Sequence, residues 1–437
     1  MRLSRRLLLL GGAAALSLPA RAAQGGDGAE ILRRWYRLVL RLVRHTPTYS
    51  PPVASRAFAY LGVAAYQAVA SGSTSLLSLE GQLNALNGLP KREAGAAYSD
   101  AIIIHCVMAT AIKAFFGNTG PTGQRVMAAN EKKLKGEALA DVAPDTAERS
   151  LRYGEALTAA IVAWSQGDGG AVVENMGFPM DYTLTEGAAR WVPTSAIRQQ
   201  QAPLLPAWGN NRTFAMPDGA ACPLPAPPAY SEDAASAFHR EAMEVYETTR
   251  NLTPEQEEIA RFWSDDPMLS PTPPGHWISI ALDLLEQEKA GLDRSADLLM
   301  RLGVAMADAF IGCWNAKFQY DLLRPLTYIR RVIDPKWEPL LITPPFPEYP
   351  SGHSTQSGAA AAVLSSVYGE TFSFTDRTHE RDGLAPRRFD SFDAAAKEAA
   401  LSRLYGGIHF RSAAERGLEQ GRCIGAHAVA LRTRSST

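Results

Sequence analysis

Three short segments carry residues that can hold an anion and move a proton. In KFQYDLLRP, Lys317 and Arg324 stand seven residues apart, two helical turns, so a continuous helix puts them on one face. In PSGH, Ser351 offers a hydroxyl and an amide, Gly352 an amide that no Cβ screens, and His353 follows at once. In SRLYGGIHF, Arg403 closes a helix that Gly406-Gly407 terminates, and His409 lies on the exit loop. Together they supply three cations, a hydroxyl, an amide pair and two imidazoles. That set suits a phosphate-like oxyanion with an acid–base group beside it. Each segment also has a plainer reading taken alone: two solvated charges, an ordinary N-cap after a turn, and an Arg at a helix C-terminus beside a packed His. The other histidines (His45, His105, His239, His276, His379, His427) lack such company and read as structural.

The elements that must position these residues are helices. Apolar residues recur every three to four positions and period-2 alternation is nearly absent, so the fold class is all-α. Helices are expected at Ile31–His45, Pro51–Ala70, Tyr98–Gly117, Gly120–Leu139 and Pro144–Gln166. From Gly167 to Tyr230 the pattern gives way to Gly- and Pro-rich loop chemistry, read as a connection across the surface between two helical halves. Helices resume at Ser231–Arg250, then after a capping box at Thr253–Gln256, then at Thr272–Gly291. The longest is expected from about Arg294 to Leu323, where Pro325 stops it. PSGH opens a further helix ending at Gly369. A polar loop, Phe374–Ser391, precedes two last helices, Phe392–Gly407 and Ser412–Arg432. The domain reading is a leader at 1–23, a helical bundle at 24–200, a Pro-rich connection at 201–230 and a second bundle at 231–437 that carries the site.

The 437 residues are 46% hydrophobic and 20% charged, a globular composition with ample chain for a large core. A net charge of −1 implies no polyanion, so no nucleic-acid partner. The leader has Arg5-Arg6, an apolar run from Leu7 to Leu18 and small residues near Ala20–Ala23. It looks like a twin-arginine signal, with an ordinary secretory leader as the alternative. No later segment reaches about 18 uninterrupted apolar residues, so the mature chain is expected without a membrane span, periplasmic or secreted. Cys106, Cys222, Cys313 and Cys423 show no CxxC spacing, and buried free thiols are expected.

The ordered triple Lys317-x6-Arg324-Pro325, Pro350-Ser351-Gly352-His353 and Ser402-Arg403-x5-His409 resembles the joint signature of the vanadium-dependent haloperoxidases and type-2 phosphatidic acid phosphatases. TPPFPEYPSGH and CWNAKFQY are similar to the bacterial chloroperoxidase-like branch, as are FWSDDPMLSPTPPGHW and the N-terminal helical half. The resemblance implies two packed helical bundles, with vanadate as cofactor and peroxide and halide as substrates. It implies that His409 ligates vanadium, that Lys317, Arg324, Ser351, Gly352 and Arg403 bind its oxygens, and that His353 is the acid–base catalyst. Lys317 would polarise the peroxide, Asp266 would pair with Arg403, and Phe346, with Trp314 nearby, would line the halide site. The family pattern continues His-x3-Asp, where this chain has Ala413. A main-chain carbonyl or Glu415 is then expected to orient His409, although Ser412–Glu415 also reads as a capping box.

Two other functions use the same cage. In an acid phosphatase, His409 is the nucleophile that forms a phosphohistidine and His353 protonates the leaving group of a phosphoester. A non-catalytic anion-binding protein would need the cations but not both histidines. Homodimers are common in the family, and nothing in the sequence marks an interface.

Overall fold

A computed structural model describes residues 26–171, 177–195 and 201–434, so the leader at 1–23 lies outside the described residues. The N-terminal part comprises α1 (Gly28–Arg44), α2 (Pro51–Ala70), α3 (Asp100–Phe116), α4 (Pro121–Leu139) and α5 (Pro144–Gln166). The C-terminal part comprises α6 (Ala237–Arg250), α7 (Pro254–Phe262), α8 (Thr272–Gln287), α9 (Leu292–Tyr320), α10 (Pro325–Val332), α11 (Gly352–Tyr368), α12 (Phe392–Tyr405) and α13 (Arg411–Val429). The fold is the all-helical one expected, and the local signals act as read. Pro opens α2, α4 and α5, the Thr253–Gln256 capping box forms in full, and Gly369 ends α11 at φ 100°. Among the described residues, no helix is long and apolar enough to cross a membrane.

Two close helix pairs build the frame. In the first, α2 lies against α9, where a Cβ on Gly62 would stand 2.8 Å from the Met300 Cα. In the second, α11 lies against α13, where a Cβ on Gly421 would stand 2.0 Å from the Thr355 carbonyl oxygen. Only a residue without a side chain permits these approaches. The main apolar cluster runs without a break from Ile31 in α1 to Leu431 past α13, so the two halves share a core.

Four local features differ from the sequence reading. The long helix α9 ends at Tyr320, not Leu323, because Asp321 turns left-handed (φ 48°) and the chain beyond pairs with the Ala189–Trp191 stretch. Arg324 therefore caps α10, a helix that the Pro325 stop signal concealed. The polar loop Phe374–Ser391 contains an antiparallel hairpin, β1 (Phe374–Asp376) with β2 (Arg387–Phe389). Three residues per strand are too few to print an alternating pattern. Finally, Cys222 and Cys423 form a disulfide, while Cys106 and Cys313 are free and buried, as expected of them. Spacing could not reveal a bridge between partners 201 residues apart.

The stretch after Gly167 does more than connect. Leu204, Leu205 and Trp208 pack on Phe310 and Trp314 of α9. Tyr320 and Tyr349 donate to the carbonyls of Leu224 and Pro225. The disulfide ties this strap to α13 at Cys423. Replacing both bridged cysteines by serine should lower the unfolding free energy by about 2–4 kcal/mol. An unchanged denaturation midpoint would show that the bridge does not stabilise the strap.

Candidate active site

Lys317, Arg324 and Arg403 are all essentially inaccessible, each at 0–1% exposure. Burying a cation is costly unless oxygen atoms replace its water. Here main-chain carbonyls do so. Lys317 Nζ donates to Pro347 (2.8 Å), Glu348 (2.9 Å) and Pro350 (2.5 Å). Arg324 donates from Nε to Phe346 (2.8 Å) and from Nη1 to Ile408 (2.8 Å). Arg403 donates from Nη2 to Trp263 and from Nε to the Ser402 hydroxyl (2.9 Å). Lys317 and Arg324 meet across the ring of Phe346, at 5.1 and 4.9 Å from its centroid. They do so from separate helices, not from one face of a single helix.

Lys317 has spent its three N–H, but the two arginines keep donors in reserve. Among the described residues, Arg324 Nη2 is buried without a partner, and no acceptor serves Arg403 Nη1. Ser351 caps α11 through its hydroxyl oxygen, and its own N–H goes to the Ala413 carbonyl. The Ser351 amide is thus spent, contrary to the sequence reading. Among the described residues, the first helical N–H groups of α11, on Gly352 and His353, have no acceptor. His353 Nε2 is also buried without a partner.

His409 is oriented by a residue that the sequence reading missed. Its Nδ1 lies 2.8 Å from Glu348 Oε1, and the Phe410 N–H donates to that same oxygen at 2.9 Å. Neither of the expected substitutes takes this place. Glu415 is exposed and pairs with Arg411, and the anticipated capping box does not form, because Ser412 donates to Glu241. Glu348 stands inside the quoted lead-in to PSGH, but its role depends on the loop folding back over His409.

The contacts of His409 fix its tautomer. Arg324 Nη1, 3.1 Å from His409 Nε2, can only donate. Nε2 is therefore a lone pair, and the proton sits on Nδ1, donated to Glu348. Burial, then the charges of Arg324 and Lys317, hold His409 well below the usual imidazole range, so the ring is neutral. Burial lifts Glu348 to about 8 against the pull of Arg324 and Lys317. Its proton belongs on Oε2, since Oε1 already accepts two hydrogen bonds. His353 is also held well below the imidazole range, by burial and then by Arg403.

Trp314 and Phe346 form an apolar wall, their rings 4.9 Å apart, with Trp314 Nε1 donating to Leu204 in the strap. Asp266 differs from its expected role. It lies close enough for Arg403 to draw its carboxyl down against burial, yet no ion pair within 4.0 Å joins the two. Arg403 spends Nη2 on the Trp263 carbonyl instead.

Residues 297–436 match the family description "VCPO second helical-bundle domain". A structure described as the first bacterial vanadium-dependent iodoperoxidase superposes with a TM-score of 0.84 at 36% identity, covering 93% of this chain and 98% of that one. A holo-type bacterial vanadium-dependent chloroperoxidase shares the fold at TM-score 0.66 and 16% identity, covering 87% and 92% of the two chains. The vanadium chloroperoxidase of Curvularia inaequalis is 27% identical over a match spanning 30% of this chain and 29% of that protein.

Two expectations follow from the site. If Glu348 is protonated on Oε2, Glu348→Gln preserves both its roles and should keep oxyanion affinity, whereas Glu348→Ala should weaken it by about 10–100-fold. Equal losses in the two variants, measured by calorimetric titration with tungstate, would contradict this. Burial pushes Lys317 down to about 7, with Arg324 acting in the same direction. The three carbonyls around it need all three N–H of the ammonium form. Anion affinity should therefore be full below pH 7 and fall as pH rises through about 7. Tungstate, whose own charge is constant across the neutral range, is the suitable probe, and Lys317→Gln should flatten the profile.

Proposed function

Because the chain belongs to the vanadium-dependent haloperoxidases, we propose that it is an exported enzyme that takes vanadate as cofactor and oxidises a halide with hydrogen peroxide to hypohalous acid. The observation that carries this reading is a set of buried polar atoms without partners beside the His409 imidazole. Among the described residues, Arg324 Nη2 and His353 Nε2 are buried and unpaired, and the His409 Nε2 lone pair meets only the Nη1 donor of Arg324. A tetrahedral oxyanion whose centre accepts a nitrogen ligand fits those residues, whereas a neutral ligand would leave the cations without a counter-charge.

Lys317, Arg324, Ser351, Gly352, Arg403 and His409 would hold vanadate. It would supply a Lewis acid that activates peroxide without changing its own oxidation state. The protein supplies charge and a proton route. His353 is neutral, so its free Nε2 can accept a proton from incoming peroxide. It returns that proton to the oxygen that leaves as water. The halide takes the other oxygen, and the balance consumes one proton from solvent per hypohalous acid formed. Lys317 and Arg324 draw the halide toward the Phe346–Trp314 wall, where the anion loses part of its water.

An acid phosphatase remains the second reading, because the lone pair on His409 Nε2 is also what a nucleophile needs. One pair of assays separates the two. The purified protein with vanadate, peroxide and iodide, bromide or chloride should halogenate a phenolic dye, and His353→Ala should lose the activity by about 100-fold or more. An aryl phosphate should not be hydrolysed in the absence of vanadate. Phosphate release without any halogenation would reverse the assignment.

A further inference from the structure

The groups behind Arg403 and His353 form a second buried polar cluster. Its centre is His276 in α8, with no exposed surface. Nδ1 of His276 lies 3.0 Å from each carboxylate oxygen of Asp265, and Nε2 lies 2.7 Å from Asp376 Oδ2. Asp265 Oδ1 also meets His379 Nε2 at 3.2 Å. His379 Nδ1 meets Asp382, which pairs with Arg44 of α1.

Asp265 lies within the segment Trp263–Asp266, which leads out of α7. Trp263 gives its carbonyl to Arg403, and Ser264 engages His353 through its main chain. The Trp263 ring stacks on His276 at 4.5 Å and 17°. Asp265 has φ 49°, a left-handed conformation that a non-glycine residue holds only when its surroundings impose it. The His276 clamp is the restraint at hand.

We propose that His276 is a positioning residue for the oxyanion site: gripped between Asp265 and Asp376, it fixes the Trp263–Asp266 segment that holds Arg403 and His353. With a carboxylate on each nitrogen, the ring is an imidazolium. Burial opposes that charge, but Asp265 and Asp376 lift its pKa to about 10, so the clamp stays closed through the neutral range. The clamp also occupies the Asp265 carboxylate. Asp265 forms no ion pair with Arg403, which leaves Nη1 of Arg403 to the anion.

The inference rests on the proposed function only for the identity of the anion, so its test reads binding and titration, not turnover. His276→Gln can replace one of the two hydrogen bonds but not the charge. Tungstate affinity should fall by about 10–100-fold. The His353 ring, followed by NMR, should titrate at higher pH than in the parent protein, because a nearby cation is lost while Asp265 stays. Asp376→Asn, which touches neither the segment nor the anion, should weaken binding in the same direction by a smaller factor. A folded His276→Gln protein with a lower melting temperature but unchanged affinity and an unmoved His353 titration would overturn the proposal. If His276→Gln does not fold, Asp376→Asn decides, and unchanged affinity in it has the same meaning. Failure of both to fold would assign the clamp to stability alone. Asp265, His276 and His379 also offer ligand atoms within 4.8 Å of one another. A stoichiometric divalent metal in the purified protein, lost with His276→Gln, would likewise overturn the imidazolium clamp.

Discussion

The constraint that shapes this protein is the burial of three cations that form, among the described residues, no ion pair with a carboxylate. Lys317, Arg324 and Arg403 are sealed from water, and Glu348 is pushed toward its neutral form. Peptide carbonyls do the solvating. Within a helix those carbonyls are already bonded, so the cations must sit where helices break. The oxygens come from Phe346, Pro347, Glu348 and Pro350 before α11, from Ile408 before α13, and from Trp263 after α7. Proline has no N–H to donate, so the run Pro344, Pro345, Pro347, Pro350 is rich in free acceptors. The composition of that lead-in is thus part of the electrostatics.

Two interhelical approaches keep the breaks in register. Without side chains on Gly62 and Gly421, α9 can nest on α2 and α11 on α13. Lys317 rides on α9, PSGH opens α11, and His409 immediately precedes α13. The α11–α13 pair therefore fixes PSGH against His409, the α2–α9 pair anchors the helix that carries Lys317, and the strap from Leu204 to Pro225 closes the side with Trp314.

The sequence disclosed much of what has a local cause. Helix starts at Pro51, Pro121, Pro144 and Pro254, and the end at Gly369, follow from chemistry within a few residues. The ordered cationic triple was visible because its members are fixed in type and spacing. Other features depend on contacts across the chain. Glu348 reaches His409 only after the lead-in folds back, and Cys222 meets Cys423 across 201 residues. His276 read as structural because its partners, Asp265 and Asp376, come from a turn and a three-residue strand that no periodicity marks. Lys317 and Arg324 were paired for a partly mistaken reason. They meet across Phe346, after α9 has already ended.

In the proposed reaction, the fixed positive charge would also sort the small molecules that reach the site. Field lines from desolvated cations spread far in low-dielectric surroundings and attract small anions. Hydrogen peroxide, being neutral, would pass without being held. Hypohalous acid near neutral pH is largely uncharged, so a field that gathered its halide precursor would have little grip on it. In the proposed reaction, the carbonyl-solvated cations would act as a one-way valve made of charge, with intake and discharge separated without any moving part.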